Sequence, residues 1–120
     1  MYYIQKTLEI AGAHKLKLDY ESKCSNMHGH NWIVTVFCKS ASLDHNGMVV
    51  DFAEIKRNVS DHFDHKYLNE LMPGKAVGGE FIRINPTAEN IAKLICDNVP
   101  FCYKVTVQES NGNIACYEED

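Results

Sequence analysis

With 120 residues, 45% apolar and 23% charged, the chain has the length and composition of one globular domain spanning 1–120, with enough apolar mass for a core. A net charge of −4, with 12 scattered basic residues against 16 acidic ones, argues against nucleic acid as a partner. No apolar run is long enough to cross a membrane and the first residues lack a signal-peptide pattern, while five cysteines without disulfide spacing point to reduced thiols and a cytoplasmic setting.

Tyr2 to Ala13 predicts a long strand, with Gly12 placed to make a bulge near its end. If no bulge intervenes, His14 shares the parity of Ile4, Leu8 and Ile10 and joins their apolar face. A polar loop over 15–27 carries Cys24. His28-Gly29-His30 then opens a second strand through Cys38, rich in aromatic and β-branched residues. Both imidazoles fall on the face of Trp32, Val34 and Val36, and Gly29 between them removes bulk. Asn46-Gly47 is a hairpin-turn signal, with His45 a solvated turn residue and Met48-Val49-Val50 returning as a short strand.

Asp51 then predicts a helix N-cap, with Glu54 in the capping-box position and Phe52, Ile55, Val59 and Phe63 forming one apolar stripe. A second helix starts near Asn85-Pro86-Thr87, capped by Asn85 or Thr87, buries Ala88, Ile91, Ala92, Ile95 and Val99, and stops at Pro100. The segment 72–84 between the helices is too rich in glycine for helix, with Glu80 to Ile84 a candidate short strand. The C-terminal segment predicts strand, tight turn at Asn111-Gly112, strand. There Tyr103, Val105 and Val107 share one face, and continuing their parity lands on Glu109, a carboxylate facing inward unless a local twist turns it to solvent. The order gives an α+β fold: an antiparallel four-stranded sheet (ββααββ) with two helices on one face. Its exposed edges suit pairing with other copies of the chain.

The chemistry gathers around the histidines. His28 and His30 on one strand face make half a metal site, and His14 ends the preceding strand. Three imidazoles without a clear fourth protein ligand suit catalytic rather than structural zinc, with one position left to water or a substrate oxygen. Cys24 as that fourth ligand is the competing reading, and ordinary polar histidines at a strand edge are the plainest one. Cys24 is also the one cysteine in a polar loop beside the histidines, where a nearby cation favours thiolate and suits a nucleophile or general base. Cys38, Cys96, Cys102 and Cys116 read as packing residues. In Asp64-His65 a carboxylate can fix an imidazole's tautomer and raise its basicity. The signal is weak alone, because Asp-His also occurs at 44–45 and 61–62.

With these residues in order, the sequence resembles the 6-pyruvoyltetrahydropterin synthase family over nearly its whole length. The matching blocks include Gly47-Met48-Val49-Val50-Asp51-Phe52, Asp64-His65-Lys66-Tyr67-Leu68-Asn69 and Asn85-Pro86-Thr87. The resemblance implies a T-fold whose subunits assemble into a barrel, typically a hexamer of two trimers, with active sites between subunits. It implies His14, His28 and His30 as Zn2+ ligands, Cys24, Asp64 and His65 as catalytic residues, and Glu109 as the anchor of the pterin ring. Thr87 and Glu89 fall in a block that lines the pterin pocket, although both also have a helix-start reading. The short spacer between Cys24 and His28 is similar to the bacterial 6-carboxytetrahydropterin synthases of queuosine biosynthesis. These convert 7,8-dihydroneopterin triphosphate to 6-carboxy-5,6,7,8-tetrahydropterin with release of acetaldehyde and triphosphate. The pyruvoyl-forming activity on the same substrate is the rival within enzymes, and a non-catalytic zinc-binding assembly protein the rival of another class. Two departures stand out: Phe63 replaces the leucine usual before Asp-His, and the stretch Gly74 to Ile84 is longer than in compact bacterial members.

Overall fold

The computed structural model describes residues Met1 to Asp120. Its elements are β1 (Tyr2–His14), β2 (His28–Ser40), α1 (Phe52–Phe63), β3 (Lys66–Tyr67), β4 (Gly74–Val77), β5 (Glu80–Arg83), α2 (Ala88–Asn98), β6 (Cys102–Ser110) and β7 (Asn113–Glu118). No helix is long and apolar enough to cross a membrane.

β1 and β2 pair antiparallel in an unbroken register, from Tyr2 opposite Ser40 to His14 opposite His28. The bulge anticipated at Gly12 is absent. Glycine serves a different purpose there: a Cβ would come within 3.0 Å of Leu68 Cδ1 and 3.2 Å of Trp32 Nε1. The Gly12 carbonyl accepts the indole N–H at 3.1 Å, so glycine lets leucine and indole approach the strand closely.

The principal sheet has five strands, ordered β3-β1-β2-β6-β7, rather than four. The extra strand β3 is two residues long and joins the edge of β1 in parallel, at Gly12 and Ala13. The sheet is therefore mixed. The glycine-rich segment forms a separate hairpin, β4 with β5, where a single strand was expected. Gly78 and Gly79 turn it with φ of +58° and +85°, the left-handed pair that a two-residue hairpin turn demands.

One face of the sheet carries the core. Ile10, Trp32, Val34, Val36, Val105 and Val107 meet Ile55, Val59 and Phe63 of α1 and Ile91, Ala92 and Ile95 of α2 in one buried cluster. Both helices therefore cover the same face, as period-2 strands and period-3.6 helices require. The opposite face is wetter: the hydroxyls of Thr7 and Thr35 meet across β1 and β2 at 2.9 Å in an exposed position.

Both helix starts fall where expected. Asp51 caps α1 by accepting the N–H of Ala53 at 2.8 Å, one residue earlier than a capping box with Glu54 would have it. Thr87, not Asn85, caps α2, accepting the N–H of Asn90 at 3.2 Å. Before α1, the Asp44 carboxylate accepts the N–H groups of Asn46 and Met48 and closes the turn. Met48-Val49-Val50 does not return as a strand. Val49 and Val50 are buried in a connection with no neighbouring strand, since apolar residues can satisfy burial without a ladder.

Cys38, Cys96 and Cys102 are buried, whereas Cys116 is exposed on β7 and does not pack in the core. The Cys38 side chain beside Cys102 pulls the Cys102 thiol down to about 7 and is itself pushed up. Cys38 lies ten residues along β2 from His28, about 30 Å at the usual rise of a strand, so these thiols stand apart from the histidines. Alkylation of the native protein with iodoacetamide should label Cys116 and the half-buried Cys24 and spare the other three. Peptide mass mapping that finds Cys38 or Cys96 labelled first would contradict this packing.

Candidate metal centre and active site

The cross-strand register places His14 opposite His28, and Gly12 opposite His30, so the three rings gather on one face at one end of the β1–β2 pair. Ring centroids are 4.5 Å apart for His14 and His28, 5.3 Å for His14 and His30, and 4.9 Å for His28 and His30. Trp32 packs edge-on beneath His14 and His30 at 4.8 and 5.2 Å.

Glu109 joins them. Its position on β6 is the inward one that parity indicated, and the β6–β7 register shifts between Gln108 and Ser110, a bulge of the kind that re-aims a side chain at a strand end. One donor atom from each of His14, His28, His30 and Glu109 lies within 4.8 Å of all the others. Cys24 is not in this group; the fourth side chain close to the three imidazoles is the Glu109 carboxylate, not the thiol weighed above.

The hydrogen bonds around the rings decide their tautomers. His14 Nδ1 lies 2.8 Å from the Pro86 carbonyl and His28 Nδ1 2.7 Å from the Asn26 carbonyl. A carbonyl only accepts, so each Nδ1 carries the proton and each Nε2 of the neutral ring presents a bare lone pair. Glu109 Oε1 lies 3.3 Å from His14 Nε2 and 2.9 Å from His30 Nε2, yet both nitrogens are buried without an aligned hydrogen bond. Lone pairs and a carboxylate facing one another repel unless a proton or cation stands between them. Burial opposes the proton, holding the His14 pKa below the ordinary 6.5 despite the Pro86 carbonyl and Glu109. A divalent cation satisfies all four groups at once, and the residues fit one.

The sign of the pH effect follows. Because the folded-state pKa of His14 is depressed, the unfolded chain takes up the proton first. Stability from keeping the ring neutral is complete above about pH 6.5 and is lost as pH falls below it, and a bound cation is displaced in the same direction. Melting temperatures recorded from about pH 8 to about pH 5 should therefore decline below about pH 6.5. A flat profile would contradict a buried neutral imidazole.

Cys24 sits in a 3-10 turn, Lys23–Ser25, whose first N–H groups are held by Ser22: the Ser22 hydroxyl accepts the Cys24 N–H at 3.1 Å. The Cys24 carbonyl accepts the Leu16 N–H at 2.8 Å. These bonds place the thiol in a cavity of about 400 Å³ that it lines with His28, His30 and Glu109. Cys24, His28 and His30 therefore face common space.

Asp64 and His65 lie elsewhere. Asp64 accepts the Ala11 N–H at 2.7 Å and His65 donates its N–H to the Ala11 carbonyl at 2.7 Å. The pair therefore clamps both main-chain polar groups of one β1 residue, Ala11, and leads into β3. His65 has φ +59°, a left-handed conformation costing a non-glycine residue about 1–2 kcal/mol. Its Nδ1 is 3.1 Å from Asp64 Oδ1, and the Ala11 N–H holds the Asp64 carboxyl below the usual carboxylate range, with His65 adding to the effect. The exposed ring opens onto a second cleft with Ala11, Gly29, His30 and Tyr67; His30 borders both this cleft and the Cys24 cavity, but His65 does not line the latter. Within one chain the three residues expected to be catalytic are not brought together.

The Thr87 hydroxyl is engaged as the α2 cap. Glu89 lines a cavity of about 400 Å³ with Glu109, Asn113 and Cys116, so Glu109 stands between this space and the cavity of Cys24. Sequence reasoning missed the Pro86 and Asn26 carbonyls that orient the rings. No local signal marks a main-chain acceptor contributed from 72 residues away.

Two helices on one face of a mixed sheet, with a histidine-rich group at the mouth of its longest strand pair, define an α+β protein with a candidate metal centre. The sequence profile of 6-pyruvoyl tetrahydropterin synthase matches residues 3–120, and the chain belongs to the 6-pyruvoyltetrahydropterin synthase family. It is 34% identical to the 6-carboxy-5,6,7,8-tetrahydropterin synthase of Synechocystis, over 98% of this chain and 93% of the relative. It is 29% identical to the Bacillus subtilis protein of the same name, over 97% and 84%, and 33% identical to the 6-pyruvoyl tetrahydrobiopterin synthase of Dictyostelium discoideum, over 79% and 73%. Among solved structures, the fold is similar to 6-pyruvoyl tetrahydropterin synthase from Caenorhabditis elegans, with a TM-score of 0.69 and 24% identity over 99% of this chain and 96% of that one.

Proposed function

We propose that the chain is a zinc-dependent lyase that converts 7,8-dihydroneopterin triphosphate and one water to 6-carboxy-5,6,7,8-tetrahydropterin, acetaldehyde and triphosphate, in queuosine biosynthesis. One observation carries this reading above the others: donor atoms of His14, His28, His30 and Glu109 lie within 4.8 Å of one another, and Cys24 lines a cavity with three of these residues, His28, His30 and Glu109. The donor set suits Zn2+, which when bound supplies a Lewis acid for the hydroxyls of the substrate side chain.

His14, His28 and His30 hold the ion, with His14 and His28 fixed by their carbonyl partners. Cys24 removes and returns a proton on the substrate side chain. Asp64 keeps the His65 proton on Nδ1 and leaves Nε2 free to accept and pass on a proton. Glu109 turns from the histidines to bind the guanidine-like edge of the pterin, a paired hydrogen-bond geometry resembling carboxylate with arginine. Thr87 and Glu89 lie beside that pocket in a supporting role.

The separation of Cys24 from Asp64 and His65 favours a working site assembled from two copies, each contributing one part. A homohexamer of two trimers closing the sheets into a barrel is the assembly we propose. The relative from Dictyostelium favours a second reading, formation of the pyruvoyl product from the same substrate. Incubation of purified protein with dihydroneopterin triphosphate, followed by mass identification of products, separates the two. Acetaldehyde with a carboxypterin supports the first reading. A pyruvoylpterin without acetaldehyde supports the second, and an unchanged substrate rejects both.

A further inference from the structure

A second cavity, of about 630 Å³, lies on the other side of the turn that carries Cys24. Lys23 and Cys24 line the space by the histidines, whereas the next residue, Ser25, lines this one. Lys15, one residue beyond His14, also lines it. The two cavities are thus neighbours across a single turn of backbone.

The wall of the second cavity is built. The segment after β1 runs extended and is gripped on one side by two side-chain amides. Asn69 accepts the Lys15 N–H and donates to the Lys15 carbonyl, at 2.9 and 2.8 Å, and Asn85 does the same for Lys17, both at 2.8 Å. On the other side Leu16 donates to Cys24. Lys15 and Lys17, two residues apart on an extended backbone, share one face. Arg83, on β5, donates from Nη1 to the Met72 carbonyl and has its guanidinium over the Phe81 ring at 4.8 Å. That fixes the group while leaving most of its five N–H donors free.

The charge of this lining is one-sided. It holds Lys15, Lys17 and Arg83 and no Asp or Glu, in a chain whose net charge is −4. None of the three cations is in an ion pair; the only lysine that is paired, Lys93, lies on α2. Three cations with free donors, one of them a held guanidinium, form a receptor for several phosphate oxygens at once. The hairpin β4–β5, whose residues are all exposed, contributes nothing to the buried core, and delivering Arg83 to this cavity gives it a use.

We propose that this cavity binds the polyphosphate tail of the substrate, with Lys17 and Arg83 as specificity-determining residues supplied in part by the hairpin. This rests on the reaction proposed above, because it assigns the tail of that substrate. The turn at Cys24 then divides the ligand: the hydroxylated carbons lie on the histidine side and the phosphates on the lysine side.

Calorimetric titration of the zinc-loaded protein with inorganic triphosphate, given as its magnesium complex, tests this without turnover. Zinc content is measured afterwards to show that the ion was not stripped. Saturable binding is expected, weakened at least tenfold by Lys17→Gln with Arg83→Gln and partly restored when position 83 carries Arg83→Lys instead. Zinc content and melting temperature should match the wild type. With the full substrate, the double glutamine variant should raise KM at least tenfold and lower kcat by less than threefold. No triphosphate binding, or binding indifferent to both substitutions, would overturn the assignment. Binding lost in the variant, in a protein that does not turn over the pterin triphosphate, would uphold the cavity and reject the reaction.

Discussion

Cys24→Ala should leave one zinc per chain and an unchanged melting temperature while lowering turnover roughly 10³-fold, the usual range for loss of a positioned proton-transfer group. The expectation follows from where the thiol sits. It lines the cavity of His28 and His30 but is outside the group of donor atoms within 4.8 Å of one another. The main-chain bonds that shape its turn do not involve the side chain, since Leu16 donates to the Cys24 carbonyl and the Ser22 hydroxyl takes the Cys24 N–H. Alanine keeps both. Atomic absorption and a thermal melt alongside the activity assay would show the pattern. Loss of zinc with unfolding would instead identify a closed structural site containing the thiolate, the reading that fits a non-catalytic assembly protein.

Glu109→Gln is expected to separate metal from substrate. The carboxylate rests against His14 and His30, which alone would make it a fourth ligand. Three imidazoles already complete the protein share of a catalytic site, and Glu109 also borders the cavity lined by Glu89. The variant should therefore keep its zinc and lose substrate affinity by roughly 10²-fold, the cost of leaving a charged hydrogen-bond partner unpaired. Metal analysis paired with ligand titration decides the point. Zinc lost in proportion to affinity would mean that the carboxylate is a permanent ligand.

Much of this was legible in the sequence because alternation along a strand is rigid. Parity alone put His14, His28, His30 and Glu109 on inward faces, and the register then made them neighbours. Helix caps were legible for a similar reason, since Asp51 and Thr87 act within three residues of themselves. What escaped prediction depends on distant partners. Lys66–Tyr67 is too short to announce itself as a strand, and it becomes one because Asp64 and His65 dock on Ala11. Val49 and Val50 carried a strand-like composition, yet they are buried by joining the common core cluster without pairing in a sheet. The amides of Asn69 and Asn85 look like loop residues in sequence, and only the fold shows them replacing a strand beside Lys15 and Lys17. The split between Cys24 and the Asp64–His65 pair was also invisible, because alternation within strands says nothing about where loops on different elements open.

The central claim is that three imidazoles, without a thiolate, hold one divalent ion. The absorption spectrum of the cobalt(II)-substituted protein tests it most directly. The account predicts visible ligand-field bands that saturate at one ion per chain, no near-ultraviolet sulfur-to-metal charge-transfer band, and the same spectrum in Cys24→Ala. A charge-transfer band that disappears in Cys24→Ala, or no bound cobalt at all, would contradict it.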